Sequence, residues 1–320
     1  MRQFFSAGQG NRAEDAPKDT QAMLQPLGLE QPTILSFPHR IVCLTEETTE
    51  TLYLLGEGDR VVGVSGYTVR PPEARLKPRV SAFVTARHDK ILALKPDLVL
   101  AFSDLQAEIA AELIRRGVCV FTFNQRRVPE ILSAILTVAR IVGAETKGLE
   151  LVARLEGQLR SIGKSAARFP RRPRVFFEEW HDPLISGIAW VEDLIEIAGG
   201  EPIFPELRDR QAGKERIVDP AEVAARDPDV IIASWCGRRV KKALIRSRPG
   251  WGEVAAVRLG EIHEIHSSVI LQPGPAALTD GVRQIHAILA RAAGISIEPG
   301  LTPERAPSPL GGDKEVASDG

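Results

Sequence analysis

Glu178, Glu179, His181 and Asp182 crowd into one short stretch, and carboxylates beside an imidazole are the groups that acid–base chemistry uses. At a strand end the same cluster serves equally as a hydrogen-bonding rim for a ligand. Nothing else in the sequence argues for turnover. It holds no Gly-x-Ser-x-Gly elbow, no Walker A loop and no HExxH helix. Gly56-Glu57-Gly58 and Gly199-Gly200 do not complete a GxGxxG fingerprint, so no nucleotide cofactor is expected. The reading is a protein that is not an enzyme, with no catalytic residues, no catalytic cofactor and no metal of its own.

Four histidines, His88, His181, His263 and His266, lie beside segments read as loops or strand ends. Imidazoles could bind a metal directly, or ligate a metal already held by a ligand. Hydrogen-bonded loop histidines explain them as well. His263 and His266 are three apart, so within one strand they point to opposite faces, which weakens a joint site. Cys43, Cys119 and Cys236 are far apart and form no CxxC pair. They read as small buried hydrophobes rather than a disulfide framework or a zinc site.

The aromatic residues are placed more tellingly, in a chain with only 5% Phe, Trp and Tyr. Tyr67, Phe83 and Phe102 follow the strands of the first half; Trp180 and Trp235 follow those of the second, with Trp190 nearby. Such rings offer wide flat apolar area with few rotors to freeze, which suits a bulky planar ligand. The other reading is that they plug the cores. Trp251, in Pro249 to Gly252, is expected to pack locally.

These residues need a scaffold, and the apolar pattern supplies one. In the first half, strands are expected at 40–45, 61–64, 98–102 and 118–123, with helices at 46–55, 89–94 and 106–116. Thr45 is expected to cap the first helix, and Gly56 to stop it. The second half repeats the order, with strands at 174–177, 202–204, 230–233 and 261–265. Its helices are expected at 191–198, 220–226, 241–246 and 276–293. Two segments match: Lys90-Ile-Leu-Ala-Leu-Lys-Pro-Asp-Leu-Val-Leu-Ala101 and Glu222-Val-Ala-Ala-Arg-Asp-Pro-Asp-Val-Ile-Ile-Ala233. Each reads as a short helix, a Pro-Asp turn and a wholly apolar strand. Strands apolar on both faces belong to parallel sheets covered by helices.

Between the halves, Leu149, Val152, Leu155, Leu159, Ile162 and Ala166 recur at helical spacing. This stretch reads as a connector broken near Gly143 into helices at 130–142 and 145–168, with Gly148, Gly157 and Gly163 weakening the longer piece. The expected architecture is α/β: two Rossmann-like lobes joined by a long backbone helix. Ligands of such sheets sit beyond the carboxyl ends of the strands, so a cleft between the lobes is the expected binding place. The segments are a disordered arm at 1–38, an N-terminal lobe at 39–127, connecting helices at 128–170, a C-terminal lobe at 171–294 and a disordered tail at 295–320.

The 320 residues suffice for two cored lobes. A hydrophobic content of 43% and a net charge of −1 describe a soluble chain and give no footprint for nucleic acid. Residues 1–38 are polar, proline-broken, and contain neither a secretory apolar core nor a cysteine for lipid attachment. Taken literally the chain is cytoplasmic; a misassigned start codon is the other explanation.

The chain resembles the iron/vitamin B12 type of ABC-transporter substrate-binding proteins, the cobalamin-binding branch most closely. The resemblance covers about residues 39–294 and rests on Arg40-Ile-Val-Cys-Leu44, Val61-Val-Gly-Val-Ser-Gly-Tyr67, Val80-Ser-Ala-Phe83, Ile91-Leu-Ala-Leu-Lys-Pro-Asp-Leu-Val99, Ala198-Gly-Gly-Glu-Pro-Ile-Phe204 and Pro228-Asp-Val-Ile231. It implies a monomer that binds a corrinoid (cobalamin, vitamin B12) in the cleft without turnover. It also implies a periplasmic location, an ABC permease as partner and little hinge motion. Tyr67, Phe83 and Phe102 fall where that family places rings against the corrin. Trp180, Trp190 and Trp235 are inferred from this sequence alone. Family members dock through one acidic residue per lobe, which here implies Asp89. In the second lobe the position falls on Ala221, with Asp219 and Glu222 adjacent, and Glu222 is taken as the candidate. Three other ligand classes stay open. One is an iron-siderophore or haem, with Arg70, Arg126, Arg127, Arg238 and Arg239 as candidate anion contacts. Another is a bare metal, and the third a cytoplasmic corrinoid in salvage or sensing.

Overall fold

A computed structural model describes residues 37–302. The expectations of disorder at 1–36 and 303–320 lie outside the described residues.

The N-terminal lobe is a five-stranded parallel sheet. Its strands are β1 (Ile41–Cys43), β2 (Val61–Ser65), β3 (Arg79–Ser81), β4 (Leu98–Phe102) and β5 (Val120–Phe123), in the order β3-β2-β1-β4-β5. Helices α1 (Glu46–Leu54), α2 (His88–Ala93) and α3 (Ala107–Arg115) cross over between them. β1 and β4 are buried along their whole length, because helices cover both faces of the sheet. β3 falls outside the strands expected from the apolar pattern; it is only three residues long and pairs solely at the sheet edge. Gly56 ends α1 with φ +77°, a left-handed turn that a side chain resists. Thr45 does not cap that helix. Its hydroxyl donates instead to Glu47 Oε1 at 2.5 Å.

The connector is two antiparallel helices, α4 (Val128–Ile141) and α5 (Glu145–Ala166), turning at Gly143 with φ +75°. A Cβ on Gly148 would sit 2.4 Å from Ala139 Cβ, so this glycine is where the two helices touch. The buried stripe of α5 is Leu151, Leu155, Leu159, Ile162 and Ser165, rotated from the expected one; Leu149 is half exposed. Ser165 is tolerated inside because its hydroxyl lies 3.0 Å from His286 Nε2.

The C-terminal lobe has β6 (Arg174–His181), β7 (Leu184–Ser186), β8 (Glu201–Pro202), β9 (Val230–Ala233) and β10 (Ile262–Glu264), in the order β10-β9-β6-β7, with β8 beside the start of β6. All pairings are parallel except β6–β7, a hairpin. The sequence pattern concealed it because the largely polar run Glu178-Glu179-Trp180-His181 continues β6 past its apolar start, up to the Asp182-Pro183 turn. Helices α6 (Ala189–Ile197), α7 (Pro220–Arg226), α8 (Lys242–Arg246), α9 (Ala255–Arg258), α10 (Ser267–Ile270) and α11 (Val282–Ala292) complete it. The segment expected as one helix at 276–293 opens as a π-helical turn at Ala277–Gly281.

The two matching sequence segments fold alike in detail. Lys95 and Asp227, at equivalent positions before the Pro-Asp pair, adopt φ +46° and +44°. Asp97 then accepts the amides of His39 (2.7 Å) and Arg40 (3.0 Å), and Asp229 that of Arg174 (2.8 Å). In each lobe this carboxylate anchors the chain entering the first strand. One apolar cluster runs from Ile41 and Leu100 through Ile131, Leu155 and Ile162 to Val175, Ile195 and Leu289, so both lobes share a core along the connector. The outer faces pack separately, around Val99 and Leu113 in one lobe and Phe176 and Trp251 in the other. Trp251, expected to pack locally, is instead fully buried in the lobe core, edge-on to Phe176 and donating to the distant carbonyl of Pro220 at 3.0 Å.

Two details correct the sequence reading. Cys43 is buried, but Cys119 and Cys236 are exposed, since each lies just outside its strand. Residues 295–302 are not a loose tail: Leu301 packs against the shared core and Glu298 pairs with Arg168 at 2.9 Å.

Candidate functional site

The carboxyl ends of both sheets border one cleft of about 440 Å³, the size of a drug-like ligand site. In the order β3-β2-β1-β4-β5 the crossovers reverse direction between β1 and β4, and a crevice opens there beyond the strand ends. Glu46 and Glu47 follow β1, Tyr67 follows β2, Phe83 follows β3, and Phe102 ends β4. From the C-terminal lobe come Glu179 near the end of β6, Ile188 and Trp190 after β7, Cys236 and Gly237 after β9, and His266 after β10.

The aromatic wall is held from behind. Gln106, fully buried, donates from Nε2 to the carbonyl of Phe83 (2.9 Å) and accepts the Phe102 amide at Oε1 (2.9 Å). One amide thereby sets the spacing between the two rings. The guanidinium of Arg126 lies over Phe102, 5.3 Å from its centroid. Tyr67 stands at the rim, 43% exposed, and a Cβ on Gly237 opposite would lie 3.6 Å from its ring. Trp190 donates from Nε1 to the carbonyl of Ile270 at 2.9 Å, which fixes its ring against the cleft. Gln106 gave no signal in the sequence, because a glutamine at a helix start carries none.

Trp180 and Trp235 are not on the cleft wall, contrary to expectation. Trp235 is buried in the lobe core; its Nε1 donates to Glu178 (3.1 Å) and its ring stacks on His181 at 4.3 Å. Trp180 lies on β6, packs on the same core, and donates to its neighbour Asp182's carbonyl at 2.9 Å. For Trp180 the reason is the hairpin: β7 carries the chain back, and it is the segment after β7 that reaches the cleft. Trp235 is drawn inward by Glu178 and His181 of β6.

The acidic cluster at the end of β6 is spoken for. Glu178, with no exposed surface, takes Arg248 in a two-pronged pair at 2.6 and 2.9 Å. Glu179 takes Arg216 at 2.6 and 3.2 Å, and Arg216 is itself 1% exposed. Among the five candidate arginines only Arg126 lines the cleft, and Asp104 holds it at 3.3 Å. Arg70 is paired with Glu50 (3.1 Å) and Asp280 (2.8 Å), and Arg127 with Asp193 (2.8 Å). Arg238 lies over Trp180.

Glu46 and Glu47 differ from these. Burial pushes the Glu46 carboxyl up to about 7 and that of Glu47 to about 8, where the Thr45 hydroxyl opposes burial without overcoming it. Both sit in the first turn of α1, whose dipole favours the charged form by only about 0.3–1 kcal/mol. A strap at 271–276 crosses above them. Gly274 lies so close that a Cβ would be 2.3 Å from Glu47 Cβ, and the Ala276 amide donates to Glu50 at 3.1 Å.

Of the histidines, only His266 lines the cleft; it accepts the Ser268 amide at Nδ1 (3.3 Å). His263 faces elsewhere and pairs with Glu261 at 2.7 Å; β10 ends at Glu264, so His266 lies outside the strand and the three-residue spacing does not decide their directions. Among the described residues no group of three His, Cys, Asp or Glu is arranged to hold a metal ion, and no helix is long and apolar enough to cross a membrane. Asp89 and Glu222 lie away from the cleft near the starts of α2 and α7, the helices of the repeated unit. Asp89 pairs with Arg116 at 3.0 Å and Glu222 with Arg226 at 2.5 Å.

Comparison with known proteins agrees with this geometry. The model of the family described as Periplasmic binding protein matches residues 41–269. The uncharacterized ABC transporter substrate-binding lipoprotein YvrC of Bacillus subtilis is 28% identical over 262 residues, 79% of this chain and 80% of the relative. The cobalamin-binding protein of Halobacterium salinarum is 23% identical over 80% of this chain and 70% of its own. Among solved structures, the periplasmic vitamin B12 binding protein BtuF of Vibrio cholerae superposes with a TM-score of 0.65 at 25% identity, covering 80% of this chain and 98% of that one. The periplasmic heme-binding protein RhuT of Roseiflexus sp. RS-1 gives 0.71 at 23% identity, covering 80% and 99%, and attests the fold. With two parallel-sheeted lobes, a helical connector and a cleft at the strand ends, the chain belongs to the periplasmic binding protein family.

Proposed function

We propose that this protein is the non-catalytic solute receptor of an ABC importer and that its solute is a corrinoid (cobalamin, vitamin B12) held between the lobes. The observation that carries the reading is the cleft's pairing of aromatic rings with an absence, among the described residues, of free arginines or lysines. Tyr67, Phe83, Phe102 and Trp190 offer flat apolar area, while both cleft arginines already face a carboxylate. An anionic siderophore would need those arginines free. The vitamin B12 binding protein of Vibrio cholerae and the cobalamin-binding relative support the same ligand class.

Haem is the second reading, because Tyr67 and His266 belong to opposite lobes and either side chain can ligate haem iron. Its carboxylates would meet Glu46 and Glu47, which counts against it. Asp89 and Glu222, on the matching helices of the two lobes, are proposed to meet basic residues of the permease. The receptor is proposed to act as a monomer outside the cytoplasmic membrane, where the Bacillus subtilis relative is named a lipoprotein.

Isothermal titration with cyanocobalamin, hemin and a ferric siderophore tests the ligand. Saturable one-to-one binding of cyanocobalamin without chemical change is expected. Binding of hemin alone, with a Soret shift abolished by Tyr67→Phe or His266→Ala, would replace corrinoid by haem.

A further inference from the structure

The cleft contains one corner whose chemistry the aromatic wall does not account for. Glu46 and Glu47 line it, and among the described residues neither carboxyl has a Lys, Arg or His within ion-pair distance. The third member is Gln272, on the strap two residues before the Gly274 that touches Glu47. Gln272 is 5% exposed; its Nε2 donates to the Ser268 carbonyl, and its Oε1 is buried with no hydrogen-bond partner. Gln272 lines the cleft, and a buried acceptor without a partner is costly unless a donor reaches it.

We propose that Glu46, Glu47 and Gln272 form the specificity corner of the cleft, selecting a ligand edge that carries uncharged primary carboxamides and rejecting the corresponding carboxylates. The proposal rests on the corrinoid reading and deepens it, since corrinoids differ in whether their peripheral acid groups are amidated. A primary carboxamide has two N–H donors and a carbonyl acceptor. The open Oε1 of Gln272 takes one donor, and a protonated glutamic acid gives its O–H to the carbonyl. A carboxylate offers no donor to Gln272 and places a like charge beside any ionised glutamate.

The surroundings set the protonation. From its own helix Glu47 faces Glu46 and Glu50, of which Arg70 and Asp280 bracket the latter; behind it lies Cys43. From the strap come uncharged Gln272 and Gly274. Across the cleft Glu46 faces Cys236, which also feels Glu179, and Glu179 is neutralised by Arg216. Asp104 with Arg126, His266 and the Tyr67 phenol complete the cleft's ionisable groups. Among the described residues no cation is thus left to hold the two acids ionised, in keeping with carboxyls raised to about 7 and about 8. Below that range both are donors and a ligand carboxylate is tolerated; above it both are charged and the carboxylate is repelled.

The test is calorimetric titration of the full chain with dicyanocobinamide, whose edge is amidated, and dicyanocobyrinic acid, whose edge is carboxylate. Near pH ~9 the amidated corrinoid is expected to bind at least about tenfold tighter, and the ratio to shrink toward pH ~5.5 as the glutamates take up protons. The double substitution Glu46→Gln with Glu47→Gln, which keeps shape and removes charge, is expected to reduce the alkaline ratio to within about threefold. Equal affinities in the unaltered protein at alkaline pH would overturn the proposal while leaving the corrinoid reading intact. So would full discrimination retained in the double variant. Failure of both corrinoids to bind would remove the reading and the proposal together.

Discussion

The two lobes are built on one repeated unit and diverge in how they treat buried acids. In both, a short helix, a left-handed residue, a Pro-Asp pair and an apolar strand follow one another, and the aspartate anchors the lobe's first strand. Beyond the strand ends the likeness stops. The C-terminal lobe gives each acid at the end of β6 an arginine, Arg248 for Glu178 and Arg216 for Glu179. Among the described residues the N-terminal lobe offers Glu46 and Glu47 no cation, and burial keeps them protonated into the neutral range. One lobe therefore meets a ligand with fixed, compensated charge, the other with acids whose charge depends on pH.

The difference is broken most severely from the paired side. Arg248→Ala strands Glu178, which has no exposed surface, and is expected to lower stability by about 3–5 kcal/mol in urea unfolding. Removing charge from the other lobe has the opposite consequence: Glu47→Gln is expected to cost nothing at alkaline pH, since its carboxyl is destabilising there when ionised. A destabilised Glu47→Gln variant above pH ~8 would contradict the picture.

Gly274→Ala probes the strap between the lobes. Its Cβ would collide with Glu47, and a loss of about 1–3 kcal/mol is expected from overpacking. On the ligand side, Phe83→Ala is expected to weaken cyanocobalamin binding by about 1–3 kcal/mol, the worth of a buried ring. Trp180→Ala, away from the cleft wall, should leave that affinity within about 0.5 kcal/mol. Equal losses in the two variants would mean the cleft extends past the β6–β7 hairpin.

The pH dependence follows from four raised carboxyls: Glu46, Glu47, Glu50, which burial raises against the pull of Arg70, and, behind the cleft, Glu192, which burial lifts to about 8 against the pull of Arg208. The folded state holds these protons more tightly than the unfolded chain. Their contribution to stability is thus complete below the ordinary glutamate range and is lost as pH rises through about 7 to 8. The melting temperature should fall over that interval, and Glu192→Gln should flatten the decline. The smallest effect belongs to the outer surface. Asp89→Ala removes an ion pair whose aspartate is almost fully exposed, so stability should change by less than about 1 kcal/mol. A larger loss would give Asp89 a structural role and weaken its candidacy for docking.

Much of this was legible in the sequence because it depends on local pattern. Apolar runs placed β1, β2, β4, β5, β9 and α7, and the Pro-Asp repeat announced the duplicated unit. What escaped was non-local. The hairpin β6–β7 moved Trp180 off the cleft and brought Ile188 to it, and Glu178 and His181 hold Trp235 in the lobe core. Gln106, Gln272 and the acids of α1 acquired their places from chain far away in sequence.

The sequence by itself determined the alternation of strand and helix, the connector and the type of cleft, because periodicity and turn residues act over a few neighbours. Only the tertiary structure decided which acids would be charged. That depends on whether an arginine from another element arrives before burial excludes water, as Arg216 and Arg248 do for β6 and no cation does for Glu46 and Glu47 among the described residues.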